Sequence, residues 1–93
     1  MKRVVWKFPF EVADEFYLRM PAGAEILHVD VQSGQPCLWV LVDSDRPTVA
    51  RGFRLAGTGH TIGDYSPAWK FVGTFLVHGG ALVFHLWDCG DGT

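Results

Sequence analysis

The sequence predicts a single antiparallel all-β domain, a compact sandwich or partly open barrel of about seven strands, across residues 1–93. Short segments rich in Val, Leu and aromatic residues recur through the chain, separated by Gly, Pro, Asp and Ser clusters. No stretch sustains the period of an amphipathic helix. Hydrophobic residues make up 48% of the 93 residues, enough apolar surface for one core in a chain too short for two.

The elements follow in order. A first strand is expected at Arg3–Phe8, with Trp6 in the core. The segment FEVADEF, Phe10 to Phe16, is too short for a stable helix and reads as a loop or edge leading into a strand at Glu15–Met20. Pro21-Ala22-Gly23 then supplies a fixed φ followed by a permissive one, which makes a turn. The strand Glu25–Gln32 alternates, with Leu27, Val29 and Val31 on one face and His28, Asp30 and Gln32 on the other, so it should be half buried. Ser33-Gly34 is a hairpin turn into Cys37–Val42. That strand is apolar on both faces, Leu38, Val40 and Val42 against Cys37, Trp39 and Leu41, and belongs at the centre of a sheet. Strands at Val49–Leu55, Lys70–Val77 and Ala81–Trp87 complete the set, the last two joined by His78-Gly79-Gly80.

The final strand carries two apolar rows, Leu82, Phe84 and Leu86 on one side and Ala81, Val83, His85 and Trp87 on the other. A small β domain has one inside, so the row containing Val83, His85 and Trp87, together with Trp39, exceeds what a single core covers. Two arrangements would hide it. The segment Gly63 to Trp69 folds over it with Tyr65 and Trp69 as a lid, or a partner covers it; the sequence predicts a homo-oligomer or partner interface anchored on Trp39, Val83, His85 and Trp87.

The stretch GTGHTIG, Gly57 to Gly63, admits two readings. The first is a bend in which Gly57, Gly59 and Gly63 supply positive φ. The second is an anion cradle: backbone N–H groups of Gly57, Thr58, Gly59 and His60 receive a small anionic ligand such as a nucleotide, Arg51 or Arg54 neutralises it, and Tyr65 stacks on it. The motif lacks the lysine of a P-loop, and its third glycine falls one position late for a dinucleotide fingerprint, so no cofactor is implied.

Other classes are excluded on composition. Net charge is −2 and the eight Lys and Arg are scattered, which gives no footprint for double-stranded DNA. The basic start at Lys2 and Arg3 is interrupted by Lys7 and Pro9, so no secretion signal is expected, and the apolar run Cys37–Val42 is far shorter than the roughly 20 residues of a membrane span. Cys37 and Cys89 form no C-x-x-C pair and read as reduced thiols of a cytoplasmic protein. Among His28, Cys37, His60, His78, His85 and Cys89 only His85 and Cys89 are close in sequence, and an extended strand holds them roughly 13 Å apart, so no metal site is predicted. Cys37, His85, or His60 with Asp64 are residue types of nucleophilic and acid/base chemistry, but no local catalytic signature accompanies them. Binding is expected rather than catalysis.

Three blocks, MPAGAEILHVDVQSGQPCLWVLVD, FRLAGTGH and FVGTFLVHGGALVFHLW, in this order and spacing, resemble a family of small uncharacterised proteins of tailed bacteriophages and prophages. The similarity runs from about Val4 to Trp87. It implies a phage setting and a cytoplasmic location in an infected or lysogenic bacterium, and it brings no cofactor or catalytic residues. In that setting the expected function is an inhibitor or sequestering protein that acts on a host factor.

Overall fold

A computed structural model describes residues 2–92. Seven strands form two antiparallel sheets: β1 (Arg3–Pro9), β2 (Glu15–Pro21), β3 (Glu25–Gln32), β4 (Gln35–Asp43), β5 (Thr48–Gly57), β6 (Lys70–Val77) and β7 (Leu82–Asp91). Sheet A has the order β1-β4-β3 and sheet B the order β2-β5-β7-β6. The edge strand β3 of sheet A lies against the edge strand β6 of sheet B, and the two sheets do not close into a barrel.

Turn chemistry sets the hairpins. Ser33 and Gly34 both have positive φ, 52° and 79°, the pair of values a two-residue turn between twisted antiparallel strands requires. His78, Gly79 and Gly80 are likewise all left-handed and form one 3-10 turn between β6 and β7. The central position of β4 follows from its composition: Leu38, Val40 and Val42 are buried in the core, Cys37 is buried on the opposite face, and Trp39 and Leu41 are half-buried there.

One core joins the sheets. Val29, Leu38, Val40 and Val42 of sheet A meet Met20, Phe53, Leu55, Phe75, Val77 and Leu86 of sheet B. Each such side chain contributes about 1.5–3 kcal/mol when fully buried. Phe10 is buried too and stacks on Phe16, which stacks on Phe53, so the loop after β1 is drawn onto the core rather than left in solvent. Gly73 lets the sheets approach at the β3–β6 corner, since a Cβ there would stand 3.1 Å from Val29 Cγ1.

Three sequence expectations are corrected. Leu27 is exposed rather than aligned with Val29, because β3 bulges between Ile26 and His28 and the extra residue turns outward. Trp6 shares the core face of β1 with Phe8 yet remains 39% exposed, because the edge strand carries it past the core. The final strand runs to Asp91 rather than Trp87, continuing through a bulge at Cys89 to bring Asp88 and Asp91 to Arg51.

Candidate functional site

The two arginines assigned to an anionic ligand lie on opposite faces of β5. Arg51 points into the core side with Phe53 and Leu55 and is buried. Its Nε donates to Asp88 Oδ1 at 2.8 Å and its Nη2 to Asp88 Oδ2 at 3.0 Å; Nη1 donates to Asp91 Oδ1 and Nη2 also to the Ala24 carbonyl. The Asp88 carboxylate, first by hydrogen bonding, raises the Arg51 pKa above its ordinary value while burial opposes it. This guanidinium is a structural cation whose charge is already met by two carboxylates.

Arg54 faces outward. Its guanidinium lies over the Trp69 ring at 5.1 Å, Nη2 donates to the Gly63 carbonyl at 2.7 Å, and Nη1 lies 3.9 Å from Glu15 Oε2. Its Nε is buried and makes no hydrogen bond. Arg54 therefore clamps the loop of residues 58–69 onto sheet B. Arg54 lines a small cavity with Gly57 and His60, but its guanidinium is engaged by Trp69, Gly63 and Glu15, and Arg51 is held by its two carboxylates.

That turn is built from its own contacts. Thr58 N donates to the Val83 carbonyl and His60 N to the Gly57 carbonyl, so two of the N–H groups assigned to the cradle are already spent. Only Gly59 of the three glycines has positive φ, 86°. Gly57 is required for a different reason: a Cβ there would stand 2.9 Å from His60 Nδ1, and the imidazole packs over the bare backbone. A cavity of roughly 220 Å³ lies beside the turn, lined by Thr58, His60 and Leu82 to Phe84.

The proposed interface residues divide between two surfaces. Trp39 belongs to sheet A, between Lys7 and His28, whereas Val83, His85 and Trp87 belong to sheet B. Trp39 therefore forms no patch with the other three. His85 is not a free anchor either: Thr58 Oγ1 lies 2.7 Å from its Nε2 and Thr74 Oγ1 2.9 Å from its Nδ1. Hydroxyls either donate or accept, so both ring nitrogens are satisfied in either tautomer.

Trp87 is half-buried because its own chain covers part of it. Tyr65 meets Trp69 edge-on at 5.6 Å and Trp87 at 6.4 Å, and Phe71 meets Trp87 at 5.5 Å. The loop is thus a lid over the β5 and β7 side of this face. It stops there. On β6, Phe71 is 57% exposed and Leu76 is 51% exposed, and Tyr65 at the lid edge is 54% exposed.

Strict alternation through KFVGTFLV places Leu76 on this outer face but aligns Phe71 with the buried Phe75. The bulge between Phe71 and Gly73 turns Phe71 outward opposite Trp87, while Leu76 stands opposite Val83 in the regular register beyond it. The glycine inside an apolar strand was the available signal.

A cleft of about 660 Å³ opens between the starts of β3 and β6 and the end of β7. Arg51, Asp88 and Asp91 line it with Glu25, Lys70 and Phe71, so its charged groups largely balance one another. Cys37 and Cys89 are both free thiols, and burial raises the Cys89 pKa against the opposing pull of Arg54. No helix among the described residues is long and apolar enough to cross a membrane.

A family model described as a domain of unknown function, DUF7352, matches residues 1–91. No curated protein and no solved structure matches the chain.

Proposed function

We propose, for a chain that belongs to this DUF7352 family, that it is a protein-binding module whose contact surface is the outer face of sheet B, anchored by Phe71, Leu76, Val83 and Trp87. The exposure of Phe71 and Leu76 beside Trp87 carries this reading. An antiparallel sheet with one face on the core ordinarily turns polar residues outward, whereas exposed aromatic and aliphatic anchors beside a partly desolvated Trp are what interface centres use. Tyr65 and Thr74 would form the rim.

The Gly57 to His60 turn is the weaker candidate for an anionic ligand, because Arg51 and Arg54 already have partners and the turn's own bonds occupy Thr58 N and His60 N. The phage resemblance supplies the setting: a cytoplasmic host protein as partner, held by inhibition or sequestration. A second copy of the chain would use the same face.

The test compares the native chain with a Phe71→Glu, Leu76→Glu variant, by sedimentation for self-association and by titration against any host protein that copurifies. Removing two anchors should weaken the complex by at least 2 kcal/mol, roughly thirtyfold. A Thr58→Ala, His60→Ala variant should bind as the native chain does. Equal binding by the glutamate variant, or a native chain that is monomeric and retains no protein, would overturn the reading.

A further inference from the structure

The edge strand β2 offers a second surface, distinct from the outer face of sheet B. Leu55 N donates to the Asp14 carbonyl and Ala22 N to the Pro47 carbonyl, at the two ends of an unbroken β2–β5 register. Hydrogen-bonded and non-bonded pairs alternate along an antiparallel ladder. Phe16, Leu18 and Met20 therefore turn their backbone groups toward β5, and Glu15, Tyr17 and Arg19 turn theirs away. β2 pairs with β5 alone, so this outward row has no strand beside it. Pro21 falls on the same outward parity, where its missing N–H breaks no bond of the sheet.

The side chains leave this edge open. Tyr17, 60% exposed, lays its ring over the bare backbone of Gly52, where a Cβ would stand 3.2 Å from Tyr17 Cε1, so it leans onto the sheet. Glu15 and Arg19 flank it on the same outer face, both exposed. Arg19 Nη2 bonds two neutral acceptors, the carbonyl and Oγ1 of Thr48, so its charge is not cancelled by those contacts. The Glu15 carboxylate is 56% exposed and meets Arg54 only at 3.9 Å, beyond hydrogen-bond distance, which leaves its lone pairs open to a closer cation. On the core face, Phe16 and Leu18 are half-buried and line, with Phe10 and Ala13, a cleft of about 340 Å³ beside β2.

Edge strands are ordinarily guarded by charges that repel a second copy. On β2 the charges do the reverse. Antiparallel self-pairing about Tyr17 sets Glu15 opposite Arg19 of the second copy and Arg19 opposite its Glu15, with Phe16 opposite Leu18 on the core face. Opposite charges directly across a pair are stabilising. Centring the pairing on Glu15 or on Arg19 would set like charges face to face, so the same two residues also fix the register. We propose that the chain forms a two-fold dimer through the free edge of β2, joining two four-stranded sheets into one continuous sheet of eight. The outward parity of Glu15, Tyr17 and Arg19 makes theirs the hydrogen-bonded pairs of the new ladder. Phe71 and Leu76 lie on β6, at the opposite edge of sheet B, so this contact is independent of the outer-face anchors.

Sedimentation of the full chain over a concentration series tests this with the native protein, Arg19→Glu, Glu15→Arg and an equimolar mixture of the two variants. The native chain should dimerise. Each variant alone sets like charges opposite each other and should weaken its dimer at least about tenfold. In the mixture every charge meets its opposite on the other chain, and a mixed dimer should return. Amide exchange at Glu15, Tyr17 and Arg19 should slow as the native chain is concentrated, leaving Phe16 and Leu18 as before, because their N–H groups already bond β5. The Phe71→Glu, Leu76→Glu variant should dimerise as the native chain does. Should a charge variant fail to fold, the exchange pattern of the native chain decides alone. A native chain that stays monomeric, a dimer that Arg19→Glu leaves intact, or folded variants that stay apart when mixed would each overturn the proposal. So would a dimer lost only with Phe71 and Leu76, which would leave the outer-face reading standing.

Discussion

Arg51 and Arg54 stand three positions apart on β5, and the sheet gives them opposite fates. On the core side, Arg51 is held by a bidentate pair to Asp88, a bond to Asp91 and a backbone carbonyl. On the solvent side, Arg54 rests on an indole ring and reaches one carbonyl of the loop it pins. A buried guanidinium needs nearly all its donors matched, because water is not there to replace a missing partner. A partly exposed one is held by packing, with its stem and plane acting as apolar surface. The difference teaches that the inner arginine joins the ends of the strands, whereas the outer one sets how far the lid covers sheet B.

Breaking the inner site should have the largest effect. Arg51→Ala leaves Asp88 buried without its cation and should cost about 3–5 kcal/mol, lowering Tm by about 15–30 °C in thermal unfolding. Arg51→Met combined with Asp88→Leu should restore most of that loss, because two well-packed apolar groups replace a buried pair at little net cost. A double variant as unstable as the single one would show that Asp91 and the Ala24 carbonyl carry the site instead.

On the outer side, Trp69→Ala removes the ring beneath Arg54 and the contact with Tyr65. The expected loss is about 2 kcal/mol in urea unfolding, with stronger quenching of Trp87 fluorescence as the lid loosens. A loss as large as that of Arg51→Ala would erase the distinction between the two sites.

Asp43, the last residue of β4, provides the smallest effect and the clearest pH dependence. The backbone N–H of Asp45, 3.1 Å from its Oδ1, lowers its pKa below 3.8 against a smaller opposing effect of desolvation, and the Lys2 N–H adds to the lowering. A carboxyl whose folded pKa is depressed stabilises fully above its unfolded value and loses that contribution as pH falls through the folded value. Asp43→Asn should therefore be slightly less stable than the native chain at neutral pH. The gap should close as pH drops below about 3.8. A gap that persists well below that acidity would assign the effect to a pH-independent difference between the amide and the carboxyl group.

Much of the fold was legible because its signals are local. The strands at Glu25–Gln32 and Lys70–Val77 lie where their composition places them, and Ser33-Gly34 turns the chain as its residues require. The surplus apolar row on β7 was legible too, and so was the lid of Tyr65 and Trp69 as one way of hiding it. The partners of Arg51 were not: Asp88 and Asp91 are 37 and 40 positions away, and no local pattern links them. Thr58 and Thr74 around His85 escaped for the same reason.

The sequence by itself determined the strand order along the chain, the turns and which strands carry apolar side chains on two faces, because backbone sterics and period-two alternation act within a few residues. Tertiary structure decided which of those faces meets solvent. The bulges in β3 and β6 turned Leu27 and Phe71 outward, and Trp39 was parted from Trp87 when their strands joined different sheets. Arg51 and Arg54 were each engaged by partners that only folding brings within hydrogen-bond or ring-contact distance. Such contacts depend on pairing between distant strands, and a single shift of register reverses the face a side chain takes.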